Sequence, residues 1–216
     1  FSSEYKLITT PGLGGMIRTQ VFSFSRLAWR VLQETGGNTR YHLNSVGINM
    51  LIRKIVEERK ADLKLFNLSA DKSGFIQQLE QMLVEFKRYL VRPEELLNQQ
   101  QSEQMNKVLR DKLHDLELIY KHFEDALFGS YVDSEDYFKL LAEKVPLSHY
   151  LKNAEIYIDG FYSFTPQEYF IISQLMKHCK RVTITLTLDE PYNEKYPDEL
   201  HLFRMNAETC QSLYEI

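Results

Sequence analysis

Residues 154–189 read AEIYIDGFYSFTPQEYFIISQLMKHCKRVTITLTLD, and this stretch decides the predicted fold. AEIYID is a short apolar run typical of a buried strand. The next segment predicts a helix, because Thr165 and Glu168 have capping-box spacing and Pro166 stands at the first helical position. RVTITLTLD then alternates apolar residues with threonines, which is the two-residue period of a strand. Strand, helix and strand in this order predict a parallel βαβ unit with a right-handed crossover.

The residues before this unit predict a different organisation. RTQVFSF (residues 18–24) indicates a strand and SRLAWRVLQE a helix, with Ser25 as its cap and Gly36 and Gly37 at its end. From about residue 44 to residue 152 the apolar residues recur with the 3.6-residue period of helices, and no convincing strand interrupts them. The last of these helices has Asp133 or Ser134 as its cap.

These patterns predict an α/β chain, in which a parallel α/β domain is interrupted by a large all-α inserted domain. The expected limits are residues 1–43 for the first part of the α/β domain, residues 44–152 for the helical insertion and residues 153–216 for the βαβ part. The helical pattern of the final QSLYEI and the absence of an initial methionine lead us to expect a fragment of a longer protein.

Composition narrows the classes of function. Hydrophobic residues make up 44% of the 216 residues and charged residues 26%, so the chain can bury a sizeable core. The formal net charge of −4 gives no overall basic field, and any contact with DNA has to be local. Cys179 and Cys210 lie far apart without metal-site spacing, which favours a reducing cytoplasm and argues against a zinc or iron–sulfur site within this chain. No apolar run approaches the roughly 20 residues that span a bilayer, so we expect a cytoplasmic protein without membrane contact.

Asp159 is the candidate metal ligand, and two interpretations of it stay open at this point. Ligands of parallel sheets bind outside the carboxyl ends of the strands, where a carboxylate can hold Mg²⁺ against nucleotide phosphates. An aspartate followed by a glycine, here Gly160, is also what an ordinary tight turn uses.

Two long stretches carry a resemblance to a known family: GGMIRTQVFSFSRLAWRVLQETGG (residues 14–37) and AEIYIDGFYSFTPQEY (residues 154–169). The chain resembles the B subunit of the bacterial AddAB helicase-nuclease, in its amino-terminal, superfamily 1 helicase-like region. The resemblance implies a RecA-like α/β domain interrupted by a helical domain. It also implies a parent complex that uses Mg²⁺ and ATP, unwinds and resects DNA double-strand breaks for recombinational repair, and includes an A subunit that works with this chain on double-stranded ends and single-stranded DNA. The iron–sulfur cluster and nuclease of the family are expected outside this chain.

The resemblance gives Asp159 a sharper meaning. In superfamily 1 helicases the motif II strand ends in Asp-Glu, of which the aspartate serves Mg²⁺ and the glutamate positions the attacking water. Asp159 matches the first residue, whereas Gly160 occupies the place of the second and has no side chain to polarise water. Glu168 is a nearby carboxylate whose capping role explains it. No segment has the G-x-x-x-x-G-K-[ST] pattern of a phosphate-binding loop, so we expect no catalytic residue and no cofactor for the fragment alone.

The candidate DNA-binding residues are basic side chains in two predicted helices and their ends: Arg53, Lys54, Arg59, Lys60, Lys87 and Arg88. Basic side chains near aromatic ones can follow a phosphate backbone. The alternative is a set of solvated helix faces, because acidic residues are interleaved with the first four. Two functions therefore remain: a DNA-guiding scaffold with half a nucleotide pocket, or a protein–protein interaction module without DNA or nucleotide contact.

Overall fold

The computed structural model describes residues 2–12, 16, 18–37, 40–69, 72, 74–99, 105–192 and 197–216, and it is mostly helical with a few short parallel strands. The helices of the described residues are α1 (Ser2–Ile8), α2 (Phe24–Thr35), α3 (Ser45–Glu58), α4 (Phe75–Arg88), α5 (Pro93–Gln99), α6 (Lys107–Leu127), α7 (Ser134–Lys144), α8 (His149–Lys152), α9 (Pro166–His178) and α10 (Arg204–Tyr214). The strands are β1 (Tyr41–His42), β2 (Tyr131–Val132), β3 (Glu155–Ile158) and β4 (Arg181–Ile184).

Helices α3 to α6 enclose one hydrophobic core. Their apolar stripes supply its centre, including Ile52, Leu83 and Ile119, which are almost completely buried. A single carboxylate fixes the loop between α3 and α4. Asp115 is fully buried on α6, and its two oxygens accept hydrogen bonds from three consecutive backbone N–H groups, those of residues 64–66, at 2.7–2.8 Å. The predicted all-helical character of this region is thus explained by one shared core.

A second core joins α2, α7 and α9. Ala28 of α2, Leu141 of α7 and Ile171 of α9 are all fully buried within it. Helix α7 therefore packs with the two helices of the α/β part of the chain. The predicted domain limits stay a prediction, and this core favours grouping residues 133–152 with the α/β elements.

The strands form two parallel pairs. Strand β3 pairs with β4 in the register Glu155↔Arg181 to Ile158↔Ile184, so the parallel βαβ prediction is confirmed. Strand β4 ends at Ile184, earlier than the alternating pattern indicates. Strand β1 pairs with β2, which lies inside the region predicted to contain no strand, and that expectation is wrong. A two-residue strand shows no periodicity that a sequence could display.

The strand predicted at residues 18–24 is absent, because the described part of this segment has no regular structure before Phe24 begins α2. The cap of α2 is Ser23 rather than Ser25, and its hydroxyl accepts a hydrogen bond from the Arg26 N–H at 3.3 Å. The ring of Phe24 packs edge-on against Phe138 and Phe161, at 6.3 and 5.7 Å between centroids. Phe24 therefore makes these contacts as the first residue of a helix rather than as part of a strand.

Helix caps account for several predicted boundaries. Asp133 caps α7 and Thr165 caps α9, each in a complete capping box, and Gly36 follows the end of α2 with a φ of +76°. Within the described residues, no helix has both the length and the apolar composition needed to cross a bilayer.

Candidate functional site

Asp159 lies at the carboxyl edge of the β3–β4 pair, where the sequence places it. Ile158 and Ile184 are register partners, so the next residue of each strand, Asp159 and Thr185, are neighbours. The Thr185 hydroxyl donates to the Asp159 carboxylate, and the Thr185 N–H donates to the Ile158 carbonyl at 2.9 Å. This edge presents one exposed carboxylate and one hydroxyl. In the described part of the chain, no three His, Cys, Asp or Glu side chains come together to form a metal site by themselves.

The residues after Asp159 form a turn and an aromatic loop. Gly160 has a φ of +81°, a conformation in which a side chain is strained, so the Asp-Gly turn chemistry is present here. The rings of Phe161 and Phe164 stack with centroids 5.0 Å apart, and Phe161 also contacts Phe24. These rings pack inward, whereas Tyr162 is 68% exposed. Packing therefore explains most of this loop.

Glu168 acts in helix capping. Its carboxylate accepts a hydrogen bond from the Thr165 N–H at 2.8 Å, while the Thr165 hydroxyl accepts one from the Glu168 N–H at 3.3 Å. The capping interpretation of Glu168 is confirmed.

Lys87 is buried, and its ammonium group lies among three carboxylates. The distances from Nζ are 2.7 Å to Asp133 Oδ2, 2.9 Å to Asp136 Oδ1 and 2.9 Å to Glu124 Oε1. Burial lowers the pKa of Lys87, but the three negative charges outweigh it and raise the pKa above its ordinary value. This placement joins α4 to α6 and α7. It leaves the ammonium of Lys87 enclosed, which argues against the predicted contact of this residue with DNA.

The signal for this burial is visible in the sequence. Leu79, Leu83 and Lys87 follow one another at i, i+4 and i+8 on α4, so Lys87 continues the apolar row that faces the core. The neighbouring residue Arg88 is exposed at the end of α4, and its Nε lies 3.3 Å from the buried Glu135 carboxylate. Two adjacent basic residues thus have different environments.

The other predicted DNA-binding residues lie on α3 and at its end. Arg53 and Lys54 are exposed, and Lys54 lies 3.8 Å from Glu58 one helical turn away. Arg59 is exposed and lies 3.8 Å from Asp62, whereas Lys60 is half-buried. Exposed pairs of this kind are weak and exchange readily with water. These residues share one region, but Lys87 and Arg88 belong to the junction of α4 and α7.

Sequence reasoning missed a groove on the amino-terminal face of α2. It has a volume of about 350 Å³ and is lined by Gln20, Phe22, Ser25, Arg26, Trp29 and Arg30. Trp29 is 55% exposed. The Arg26 guanidinium lies 5.8 Å from the centre of the Phe22 ring, and the Arg30 guanidinium lies 4.6 Å from the centre of the Tyr150 ring. The groove therefore combines an exposed indole with two cations held against aromatic rings.

Helical periodicity contains the signal that could have revealed this groove. Leu27, Ala28, Val31 and Leu32 form the buried face of α2. Arg26, Trp29 and Arg30 fall at i, i+3 and i+4, which places a tryptophan next to two arginines on the opposite face. A large aromatic side chain beside basic ones on the polar face of an amphipathic helix is a candidate binding feature.

The exposed indole and the two arginines suit a polymeric ligand in which flat rings alternate with anionic groups. An indole face stacks on bases, arginine side chains neutralise phosphates, and both contacts tolerate any sequence. The Arg26 guanidinium lies 3.7 Å from the Glu4 carboxylate, and Arg26 itself is exposed, so an anionic ligand can compete for it.

Comparison with known proteins gives the family. Residues 1–216 match the family described as ADDB, N-terminal. The chain is 56% identical to the B subunit of the ATP-dependent helicase/deoxyribonuclease of Geobacillus kaustophilus (strain HTA426) and 50% identical to the protein of the same name from Bacillus subtilis (strain 168). Both matches cover this whole chain and 19% of the relative, so the chain spans about a fifth of the length of these curated relatives. The match over every residue shows that the chain belongs to the ADDB, N-terminal family.

Proposed function

We propose that this chain is part of the B subunit of a helicase-nuclease complex that unwinds and resects DNA double-strand breaks for recombinational repair. The relatives are named as B subunits of an ATP-dependent helicase/deoxyribonuclease, which supports the parent complex. In this proposal the chain supplies part of a RecA-like domain with a helical insertion and assembles in the cytoplasm with an A subunit. Its own role is to guide DNA, without chemistry of its own.

The observation that carries this role is the groove on α2. Trp29 offers a stacking face, and Arg26 and Arg30 stand three positions before it and one position after it on the same helix. Single-stranded DNA fits this arrangement better than duplex DNA, because only unpaired bases expose faces for stacking. The net charge of −4 gives no overall cationic field, so binding to phosphate depends on local groups of basic side chains such as this one.

Basic residues of α3 extend the same role. Arg53, Lys54, Arg59 and Lys60 supply secondary phosphate contacts in this proposal, as does Arg88 at the end of α4. Their interactions with neighbouring carboxylates make each contribution small and dependent on salt. Binding through them alone is therefore expected to be weak and uniform across sequences.

Asp159 forms half of a nucleotide pocket in this proposal. One carboxylate beside the Thr185 hydroxyl fits Mg²⁺ only if nucleotide phosphates and water complete the coordination, as they do in many phosphate sites. The chemistry that Mg²⁺ and ATP supply in the parent requires a water-positioning group, and Gly160 has no side chain for it. In this proposal the edge holds nucleotide without turnover only in the longer parent, because the chain itself has no phosphate-binding loop.

The test uses the only tryptophan of the chain, Trp29, as the reporter. Titration with a mixed-sequence single-stranded oligonucleotide is expected to quench Trp29 fluorescence, because stacking places a base on the indole. The variants Arg26→Ala and Arg30→Ala should each weaken binding several-fold and reduce its salt dependence.

The matched control is Arg53→Ala, which removes the same side chain from an exposed position on α3. It is expected to change the affinity much less. Duplex DNA of the same sequence should quench weakly. An unchanged Trp29 signal at micromolar oligonucleotide, or equal losses for Arg30→Ala and Arg53→Ala, would contradict the proposed groove.

A second candidate function is a protein–protein interaction module. Large apolar side chains near the carboxyl-terminal end favour it, since Leu200, Leu202 and Tyr214 are at least 80% exposed. The variant Leu200→Ser/Leu202→Ser separates the two candidates. If the interaction module is the function, the unaltered chain shows no affinity for the oligonucleotide, and this variant loses association with the A subunit in a pull-down.

A further inference from the structure

Two residues of the groove are held by a side chain that comes from a distant part of the sequence. The Tyr150 hydroxyl donates a hydrogen bond to Gln20 Oε1 at 3.0 Å. The ring of the same tyrosine lies under the Arg30 guanidinium, 4.6 Å from its central carbon. Tyr150 thus contacts a polar residue and a cationic residue of the groove at once.

Tyr150 is itself fixed to α2. Its backbone N–H donates to Glu34 Oε1 at 3.0 Å, and the Ser148 hydroxyl donates to Glu34 Oε2 at 2.6 Å. These bonds hold the pKa of Glu34 below its ordinary value, the Ser148 bond most of all. Leu151, the next residue, is fully buried in the core that α2 also enters. The tyrosine is therefore anchored to the same helix that carries Arg26, Trp29 and Arg30.

The hydrogen bond from Tyr150 determines which group of the Gln20 side chain remains for a ligand. A glutamine side chain has one acceptor oxygen and an NH₂ group with two donor hydrogens. Because the oxygen accepts from Tyr150, the amide NH₂ is the part that can meet a ligand. The Arg30 guanidinium has only donors, and its place against the ring restricts its rotation. The pair presents donors, which match base carbonyls, ring nitrogens and phosphate oxygens.

We propose that Tyr150 is a positioning residue of the groove, which presets the Gln20 amide and the Arg30 guanidinium for single-stranded DNA stacked on Trp29. This inference rests on the proposed function, because it takes single-stranded DNA as the ligand. Its physical basis is that a flexible side chain held in its bound orientation loses less entropy on binding.

The experiment is a double-mutant cycle read by Trp29 fluorescence with a mixed-sequence single-stranded oligonucleotide. Tyr150→Phe removes the hydroxyl and keeps the ring under Arg30, and Gln20→Ala removes the residue that the hydroxyl orients. Each single variant is expected to weaken binding about twofold to tenfold, which corresponds to the ordering of one flexible side chain. The double variant should bind as Gln20→Ala does, because the hydroxyl then has nothing left to position.

Two controls separate positioning from damage to the fold. Tyr157→Phe removes a hydroxyl from an exposed tyrosine on β3 and should leave the affinity unchanged. Thermal unfolding of Tyr150→Phe should occur within a few degrees of the unaltered chain. A purely structural role of Tyr150 would give losses that multiply in the double variant, because each substitution would act by a separate route.

The outcomes for Tyr150 and for the proposed function can be told apart. If the unaltered chain binds and Tyr150→Phe binds equally well, or if the losses of the two single variants multiply, the positioning role is wrong and the groove stands. If the oligonucleotide does not quench the Trp29 fluorescence of the unaltered chain, the proposed function is wrong. The positioning role of Tyr150 then has no ligand to act on.

Discussion

Replacing Lys87 by methionine tests the network that joins the helical segment to α7. Methionine matches the length of the lysine stem but removes the ammonium group from its three carboxylates. The side chains of Lys87 and Asp133 are only 7% and 4% exposed, so water has little access to the Asp133 carboxylate once the ammonium group is gone. Asp136 and Glu124 are also left without their cation.

The magnitude follows from this burial. Breaking a buried ion pair by removing one partner costs about 3–5 kcal/mol, because the remaining charge stays buried without compensation. Small domains have total stabilities of about 5–15 kcal/mol, so this single change takes a large share. We expect Lys87→Met to lower the free energy of unfolding by about 3–5 kcal/mol at neutral pH.

The measurement is urea unfolding followed by circular dichroism, with Lys54→Met as the matched control. Lys54 lies 3.8 Å from Glu58 on the exposed face of α3, and its loss should cost at most about 0.5 kcal/mol. A second variant, Lys87→Met/Asp133→Asn, should recover part of the loss. Asparagine removes the unpaired charge and can still cap α7 through its side-chain oxygen.

A loss for Lys87→Met no larger than that for Lys54→Met would refute this reasoning. It would mean that water or rearranged side chains compensate the carboxylates, and that the burial of Lys87 contributes nothing specific.

Three further changes have expected outcomes that the structure sets. Leu90 has a φ of +57° just after α4, where only glycine is at ease, so Leu90→Gly should raise the free energy of urea unfolding by about 1 kcal/mol. Gly160→Ala should lower the free energy of unfolding by about 1 kcal/mol, because Gly160 has a φ of +81°, which strains any residue with a side chain. No steric clash adds to this cost, because the surroundings leave room for the methyl group. An unchanged stability would show that the turn relaxes. The folded-state pKa of Glu34 is lowered by its hydrogen bond from Ser148, so its carboxylate stabilises the fold above its unfolded pKa, and that stability is lost as pH falls through the folded pKa. Glu34→Gln should therefore lose stability at pH 7 and flatten the acid limb of stability measured against pH.

The βαβ unit could be predicted from sequence because its determinants are local. A capping box at Thr165, a proline at the first helical position and alternating apolar residues each act within a few residues of the chain. The parallel pairing of β3 and β4 then follows from the handedness and length of the connection. Asp159 was placed at the correct edge for the same reason.

The amino-terminal segment could not be predicted this way. Residues 18–24 contain β-formers, but β-propensity expresses packing against neighbouring strands rather than a property of the backbone alone. In the folded chain Phe24 packs with Phe138 and Phe161, residues more than 100 positions away, and it does so as the first residue of a helix. The groove beside it, with Trp29 and Tyr150, depends on equally distant contacts.

The basic residues show how helix phase separates side chains of the same chemistry. Lys87 and Arg88 are neighbours in sequence, yet one lies on the buried row of α4 and the other at its exposed end. Charge counting treats them alike. The position of Lys87 at i+4 from Leu83, together with the acidic residues that begin α7, is the information that distinguishes them.

Because β1 pairs with β2, the helical segment between these two strands begins and ends at neighbouring places in the structure. The chain enters the helical segment after His42 and returns at Tyr131, where the two strands lie side by side, about 4.8 Å apart. A segment whose two ends meet in this way can be shortened or lengthened with little displacement of the residues on either side. Because this segment also carries Lys87, which pairs with Asp133 and Asp136, its removal would leave these two carboxylates without their counter-charge.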